Sequence, residues 1–325
     1  MAEFKIERID ETSYSNFLDQ NPPEDPFSLP TFLSSCKEAF SVELIFLLIL
    51  RNETPVAVCS FSSGRRLWYP IIQLVPARTY DGVHFRTLAG STNQKQEYEK
   101  LEALQALEEY LERNYSFHQI IFPPGLTDIR AHQWAGATIL PQYTYVVDLA
   151  KFSEVNYTKS LKEVLRAARG AGLHTSDCTV EQLTKLQQLS YKRHDRRAPI
   201  PVEKLNRLLD LLSSNGLINI TAVRNYEGEL ISALATIRTK ARSFFYVSGT
   251  RPWKNEAEKG ASHLVYHETL IAEKAAGRLL VDFCGANTPS INLFKSAFGP
   301  ELKTYFRVVR ANNRLTRLVS HFKKI

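Results

Sequence analysis

The residues that invite a chemical reading fall in three short stretches of the 325-residue chain. Lys159, Lys162, Arg166 and Arg169 recur at spacings of three and four, which a helix between about 157 and 170 would gather on one face. Like charges stacked in this way repel by a few tenths of a kcal/mol per pair unless an anion lies opposite. The stripe is therefore either a solvated face or an anchor for a phosphate, whose oxygens suit the two-pronged guanidinium. A second basic cluster, YKRHDRRAPIP, sets His194 beside Asp195, where an imidazole titrating near neutrality could contact substrate or shuttle a proton. The third stretch, Asp282-Phe283-Cys284-Gly285-Ala286-Asn287, leaves a strand and enters a loop, a usual place for functional side chains. Asp282 can orient or deprotonate an amine, or merely cap a turn. Asn287 can touch substrate or cap the helix after Thr288-Pro289-Ser290. Lys295 can neutralise a phosphate or a developing oxyanion. Cys284 has no identifiable histidine partner, which argues against a thiol nucleophile.

The elements that must position these residues occur twice. In the first half a helix, PTFLSSCKEAF, precedes strands at VELIFLLIL, VAVCSFSS and RRLWYPIIQLV. Then come the helix EKLEALQALEEYLERN, the strand HQIIF, a short helix LTDIRAHQWAG and a strand at QYTYVVDL. In the second half the helix VEKLNRLLDLLSS precedes strands at LINITAVR, LISALATIR and SFFYVSGT. The helix GASHLVYHETLIAEKAAG, the strand RLLVDF, the short helix SINLFKSAFG and the strand LKTYFRVV follow. Asn-x-x-Pro and Tyr-Glu-Gly occupy equivalent hairpin turns. The repeat predicts a unit over 1–150, a linker near 149–156, a second unit over 157–310 and a basic tail over 311–325. The fold class is α/β (α+β): two fused units, each a mixed, mostly antiparallel sheet flanked by helices. Such a sheet has a wedge where neighbouring strands part, and ligands sit in such openings.

This element order resembles the GNAT acyltransferase fold. The two-copy form, with WAGATILPQYTYVVDL closing one copy, KSLKEVLRAARGAGL opening the next and VDFCGANTPSINLFKSAFG near the end, resembles the Fem-like group of aminoacyl and peptidyl transferases. The resemblance implies N-acyl transfer from an activated donor to an amine. It places the active site in the second copy, with the acceptor between copies and the first copy structural or on the acceptor side. It favours Arg166 and Arg169 as substrate-binding, because the corresponding helix in Fem-like proteins helps bind substrate. Gly260 and Ala261 stand where GNAT enzymes hold a pyrophosphate on a glycine-rich turn, but KNEAEKGAS has lost most of the pattern. Glu256 and Glu258 sit where they would repel phosphate, so acetyl-CoA is expected to bind weakly. The strand FFYVSGT, with Tyr246, would line the donor arm, and Tyr305 would face the substrate. Direct attack by an amine needs little else. No tightly bound cofactor is implied; the donor would be aminoacyl-tRNA or an acyl-CoA.

Composition fits this reading. The chain is 44% apolar and 23% charged, as for a globular protein of about two domains. Its net charge of +7 favours an anionic, phosphate-bearing small-molecule partner; DNA is not expected. MAEFKIERIDETSY has no apolar core, and the longest apolar run, Leu44 to Leu50, is too short for a membrane span, so a cytoplasmic protein is expected. Cys36, Cys59, Cys178 and Cys284 lie far apart, which predicts reduced thiols and no metal site. The rival reading is a non-catalytic nucleotide- or RNA-binding protein that kept the scaffold and its basic face.

Overall fold

A computed structural model describes residues 3–86, 92–193 and 195–312. His194 and the basic tail from residue 313 lie outside the described residues. The chain divides into two units, Met1–Gln142 with Thr304–Ile325, and Tyr143–Lys303.

The first unit opens with β1 (Phe4–Ile9), α1 (Glu11–Gln20), α2 (Pro30–Phe40), β2 (Glu43–Arg51) and β3 (Thr54–Arg66). It continues with β4 (Tyr69–Gln73), β5 (Val83–Phe85), α3 (Asn93–Asn114), β6 (Phe117–Phe122), α4 (Arg130–Trp134) and the start of β7 (Thr138–Asp148). Proline at the first position of α2 costs nothing, because that N–H has no helical acceptor. β2 is a run of apolar residues paired on both edges, by β1 and by β3. The stretch 65–75, expected as one strand, is instead a hairpin: Leu67 takes a left-handed φ of 55° and the chain reverses between β3 and β4.

The second unit takes up the end of β7, then α5 (Lys159–Gly170), β8 (His174–Ser176), α6 (Val180–Arg193), α7 (Val202–Ser214) and β9 (Ile218–Arg224). It continues through β10 (Leu230–Arg238), β11 (Arg242–Thr250), α8 (Ala261–Ala275), β12 (Leu280–Asp282), α9 (Pro289–Ser296) and the start of β13 (Glu301–Ala311). Its sheet runs β12-β11-β10-β9-β8, antiparallel except where β12 runs parallel to β11. Leu161, Leu165 and Ala168 of α5 turn inward and join a core with Phe245, Tyr266, Phe283 and Phe298. Phe245 and Phe283 stack with centroids 5.0 Å apart, which ties β11 to the loop after β12.

The closing strands of the two repeats are exchanged. The strand expected to close the first copy, at 146–148, pairs with Leu280–Asp282 of the second unit. The final strand, at 306–311, pairs with β6 of the first. The division therefore does not fall at one linker, and Tyr305 belongs to the first unit. Each unit has a mixed, mostly antiparallel sheet flanked by helices.

Candidate functional site

β11 and β12 share only three residue pairs, the last being Phe244 with Asp282. Beyond it Phe283 donates its N–H to Tyr145 and Ala286 to Tyr143, so the chain after β12 stays with β7 while β11 runs on to Thr250. Among the described residues, β12 pairs with β11 no further than Phe244. A bulge adds to the divergence: Phe245 faces Thr236 and Val247 faces Ala235, which leaves Tyr246 as the extra residue.

A cavity of about 620 Å³ lies at the end of β11, walled by α6, β10, the turn before α8, and α9. Gly249 lets α6 lie against β11, since a Cβ there would sit 2.2 Å from the Gln187 nitrogen. Ser190 of α6 completes the join, donating its hydroxyl to the Thr250 carbonyl at 2.9 Å and accepting the Thr250 N–H at 2.8 Å. On the cavity wall Thr250 Oγ1 bridges Ser232 Oγ at 2.9 Å and Ser262 Oγ at 2.7 Å. His263 also faces the cavity; its ring packs on Phe294 at 4.7 Å, and burial holds its pKa below the usual histidine value. That leaves a neutral imidazole near pH 7. Below it is Tyr266, bonded to Ser248 and pushed up to about 12 by burial, so its phenol keeps its proton. Arg193, Arg196, Lys259 and Lys295 line the same space, and among the described residues no carboxylate does.

The residues singled out in the sequence are dispersed. Lys295 does reach the cavity wall, but its ammonium donates to the carbonyls of Phe283, Cys284 (3.5 Å) and Gly285 (2.7 Å). All three of its donors are thereby engaged, and burial lowers its pKa. Asp282 is 6% exposed and accepts from Thr144 Oγ1 at 2.6 Å and from the Cys284 N–H at 2.7 Å, away from the cavity lining. The two hold the turn at Cys284 and Gly285, where φ is 53° and 91°. Asn287 accepts the Tyr143 N–H at 2.8 Å, and the N-cap of α9 is Thr288. Arg169 donates to His267, which is fully buried, and to Glu268 at 3.1 Å. Arg166 stays exposed, with no hydrogen bond or ion pair among the described residues. Tyr305 is buried edge-on against Tyr80 in the first unit. None of Arg166, Arg169, Asn287, Tyr246 or Tyr305 lines the cavity.

The turn before α8 bears on whether a CoA pyrophosphate would be held by backbone amides. Gly260 has helical dihedrals, and a Cβ there would lie 2.6 Å from Ala168 Cβ. The glycine permits α5 to approach, and Ala261 is fully buried. The Glu258 N–H donates to Asn255 Oδ1 at 3.1 Å, the Lys259 N–H to the Glu256 carbonyl at 3.2 Å, and the Ala261 N–H to the Glu258 carbonyl. These amides are already spent, so the usual cradle does not fit. The glutamates are a different matter. Glu258 sits in a bidentate grip from Arg251, 2.8 Å on each oxygen, which holds its pKa low, and Glu256 pairs with Lys259 at 2.7 Å. Neither presents a bare charge, and the expectation of weak acetyl-CoA binding rests on the occupied amides alone.

What sequence reading missed on α8 was visible as spacing. Lys259, Ser262, His263 and Tyr266 stand at i, i+3, i+4 and i+7, one helix face carrying polar and titratable groups. The helix at 180–193 had a signal as well, the capping box of Thr179 and Gln182 ahead of Leu183 and Leu186, whereas the role of Trp253 had none.

Residues 156–295 match the acetyltransferase (GNAT) domain family. No curated protein sequence matches the chain. Among solved structures, FemX superposes with a TM-score of 0.64 at 12% identity over 93% of this chain and 96% of its own. The C-terminal domain of a protein assigned as a lysylphosphatidylglycerol synthetase, from Agrobacterium fabrum, gives 0.60 at 12% identity over 96% and 94%. A tandem GNAT protein from the clavulanic acid biosynthesis pathway gives 0.52 at 10% identity over 96% and 99%. The family match covers residues 156–295 alone, and over nearly its full length the chain shares the fold of these structures. No helix among the described residues is long and apolar enough to cross a membrane, and no cluster of three or more metal-ligating side chains occurs among them.

Proposed function

We propose that the chain is an N-acyltransferase whose second unit moves an acyl or aminoacyl group from an activated, anionic donor to an amine. The observation that carries this reading is the parting of β11 from β12 at Phe244 and Asp282, opening beside a cavity lined by cations and, among the described residues, no carboxylate. The donor arm lies along β11 beyond Phe244, where β12 no longer pairs with it. The acceptor enters as a neutral amine. Its nitrogen attacks the acyl carbon, the bond to the thioester sulfur or ester oxygen breaks, and one proton must leave the nitrogen. His263 is suited to take it, being neutral near pH 7 and on the cavity wall. The protonated Tyr266 is suited to return a proton to the leaving group.

The rival reading, a scaffold that only binds nucleotide or RNA, predicts ligand binding without transfer. Incubation with acetyl-CoA, longer acyl-CoAs and aminoacyl-tRNA, each with a panel of primary amines, is read by mass spectrometry of the amide product. Transfer that falls by about 10²–10⁴ in kcat for His263→Asn, with KM little changed, is the expected result. Ligand-induced thermal shifts with no amide from any donor would move the chain to the rival reading.

A further inference from the structure

The cations of the cavity are not distributed evenly. The Arg193 guanidinium lies over the Trp253 ring, 4.9 Å from its centroid, and Lys259 Nζ is 5.8 Å from the same ring. Trp253 is 42% exposed and lines the cavity, as does Arg196, three residues beyond the end of α6. Neither arginine makes an ion pair among the described residues. Lys259 has only Glu256, whose side chain is 86% exposed and whose attraction is therefore well screened. The two arginines, gathered without an acid, repel one another, and they stand beside a turn in which the amides of Glu258, Lys259 and Ala261 are already spent.

From this juxtaposition we propose that Arg193, Arg196 and Lys259, arranged around Trp253, bind a diphosphate group through side chains, in place of the backbone cradle that the turn before α8 lacks. The physical case is one of geometry and count. A guanidinium stacked on an indole uses its face and leaves its edge N–H groups free, so Trp253 orients Arg193 while the fork stays open to two phosphate oxygens. A diphosphate diester carries two negative charges, one for each arginine, with Lys259 already paired to Glu256; a monoanionic ester would leave one arginine uncompensated. Trp253 acts here as a positioning residue. The site deepens the acyltransfer reading, because a nucleoside diphosphate ester occurs both in CoA donors and in nucleotide-linked acceptors. The shared chemistry is the diphosphate.

Inorganic pyrophosphate is the probe, titrated into the full chain by calorimetry and followed by tryptophan fluorescence. Binding is expected, weakening as salt rises, and falling at least about tenfold in Arg193→Ala and again in Arg196→Ala. Arg193→Lys is expected to recover only part of the loss. Trp253→Leu should weaken binding, Trp253→Phe should restore much of it, and both should lose the fluorescence response. Circular dichroism identical to that of the parent excludes misfolding as the cause. No binding by the parent chain, or equal binding by the double arginine variant, overturns the proposal. Displacement of pyrophosphate by CoA and not by UDP assigns the diphosphate to the donor, and the converse assigns it to the acceptor. Displacement by neither overturns the site. Since no step of the test requires transfer, a chain that binds pyrophosphate through these arginines but forms no amide sinks the acyltransferase reading alone.

Discussion

Charged side chains in this protein divide into those that hold backbone and those left open to a ligand, and residue type does not separate them. Arg166 and Arg169 sit one turn-edge apart on α5, yet only Arg169 is engaged, by His267 and Glu268. His267 is fully buried, its pKa lowered by burial and by the nearby guanidinium, so it is neutral and its Nε2 accepts from Arg169. Removing the arginine takes away the one donor to that nitrogen among the described residues and leaves it facing the carboxylates of Glu154 and Glu268 at 3.4 and 3.9 Å. Arg169→Ala should therefore cost about 1–3 kcal/mol in urea unfolding, whereas Arg166→Ala should stay within about 0.5 kcal/mol. Equal costs would show that the His267 contact contributes nothing. The stripe itself was readable from spacing, but the difference between its members was not. It depends on α8, about 100 residues away, bringing His267 and Glu268 beneath one arginine and not the other.

Elements here are placed as much by missing Cβ atoms as by side chains. Gly260 admits Ala168 and the backbone of Val164, so α5 packs directly on the turn before α8. Gly260→Ala would force Cβ atoms to 2.6 Å and should destabilise the protein by about 1–3 kcal/mol. Adding Ala168→Gly removes the opposing atom and should recover part of that loss, as coupled neighbours do. A double variant no better than the single one, by urea unfolding, would mean that the turn rather than the helix contact sets the requirement. The sequence offers Gly260-Ala261 as the remnant of an anion loop. A glycine needed for helix approach and one needed for phosphate approach look alike until the neighbouring helix is known.

At the scale of the molecule the exchange of closing strands has consequences for folding. β6 is completed by residues 306–311, which lie at the far end of the described chain, and β12 by residues 146–148. Residues 143–303 contain every partner of β12, β11, β10 and β9, and should unfold cooperatively when expressed alone. Residues 1–150 should not, because Ile120 and Phe122 of β6, fully buried in the full chain, would sit on an unpaired edge. Joining 304–312 to that fragment through a flexible linker should restore a cooperative urea transition. Cooperative unfolding of 1–150 by itself would show that β13 is dispensable.

The sequence by itself determined most of the elements and their order, though not β1, α1, α6 or the hairpin at 65–75. The short apolar runs LISALATIR and SFFYVSGT, the apolar stripe at Leu161, Leu165 and Ala168, and the turn at Asn225–Gly228 are local patterns, each set by residues within a turn or two of one another. The duplication follows from their order, and with it the mixed, mostly antiparallel sheets. What only the tertiary structure decided is which polar groups remain uncommitted. Asp282 and Lys295 look reactive in a linear reading, but their hydrogen bonds are satisfied by Thr144 and by the carbonyls of Phe283 to Gly285. Arg193 of α6, Trp253 after β11, and His263 and Tyr266 of α8 meet only because Gly249 lets α6 lie against β11 and because β12 leaves β11 after Phe244. A hydrogen bond or an open charge is a property of two or more groups in space, and chain separation carries no information about which groups those are.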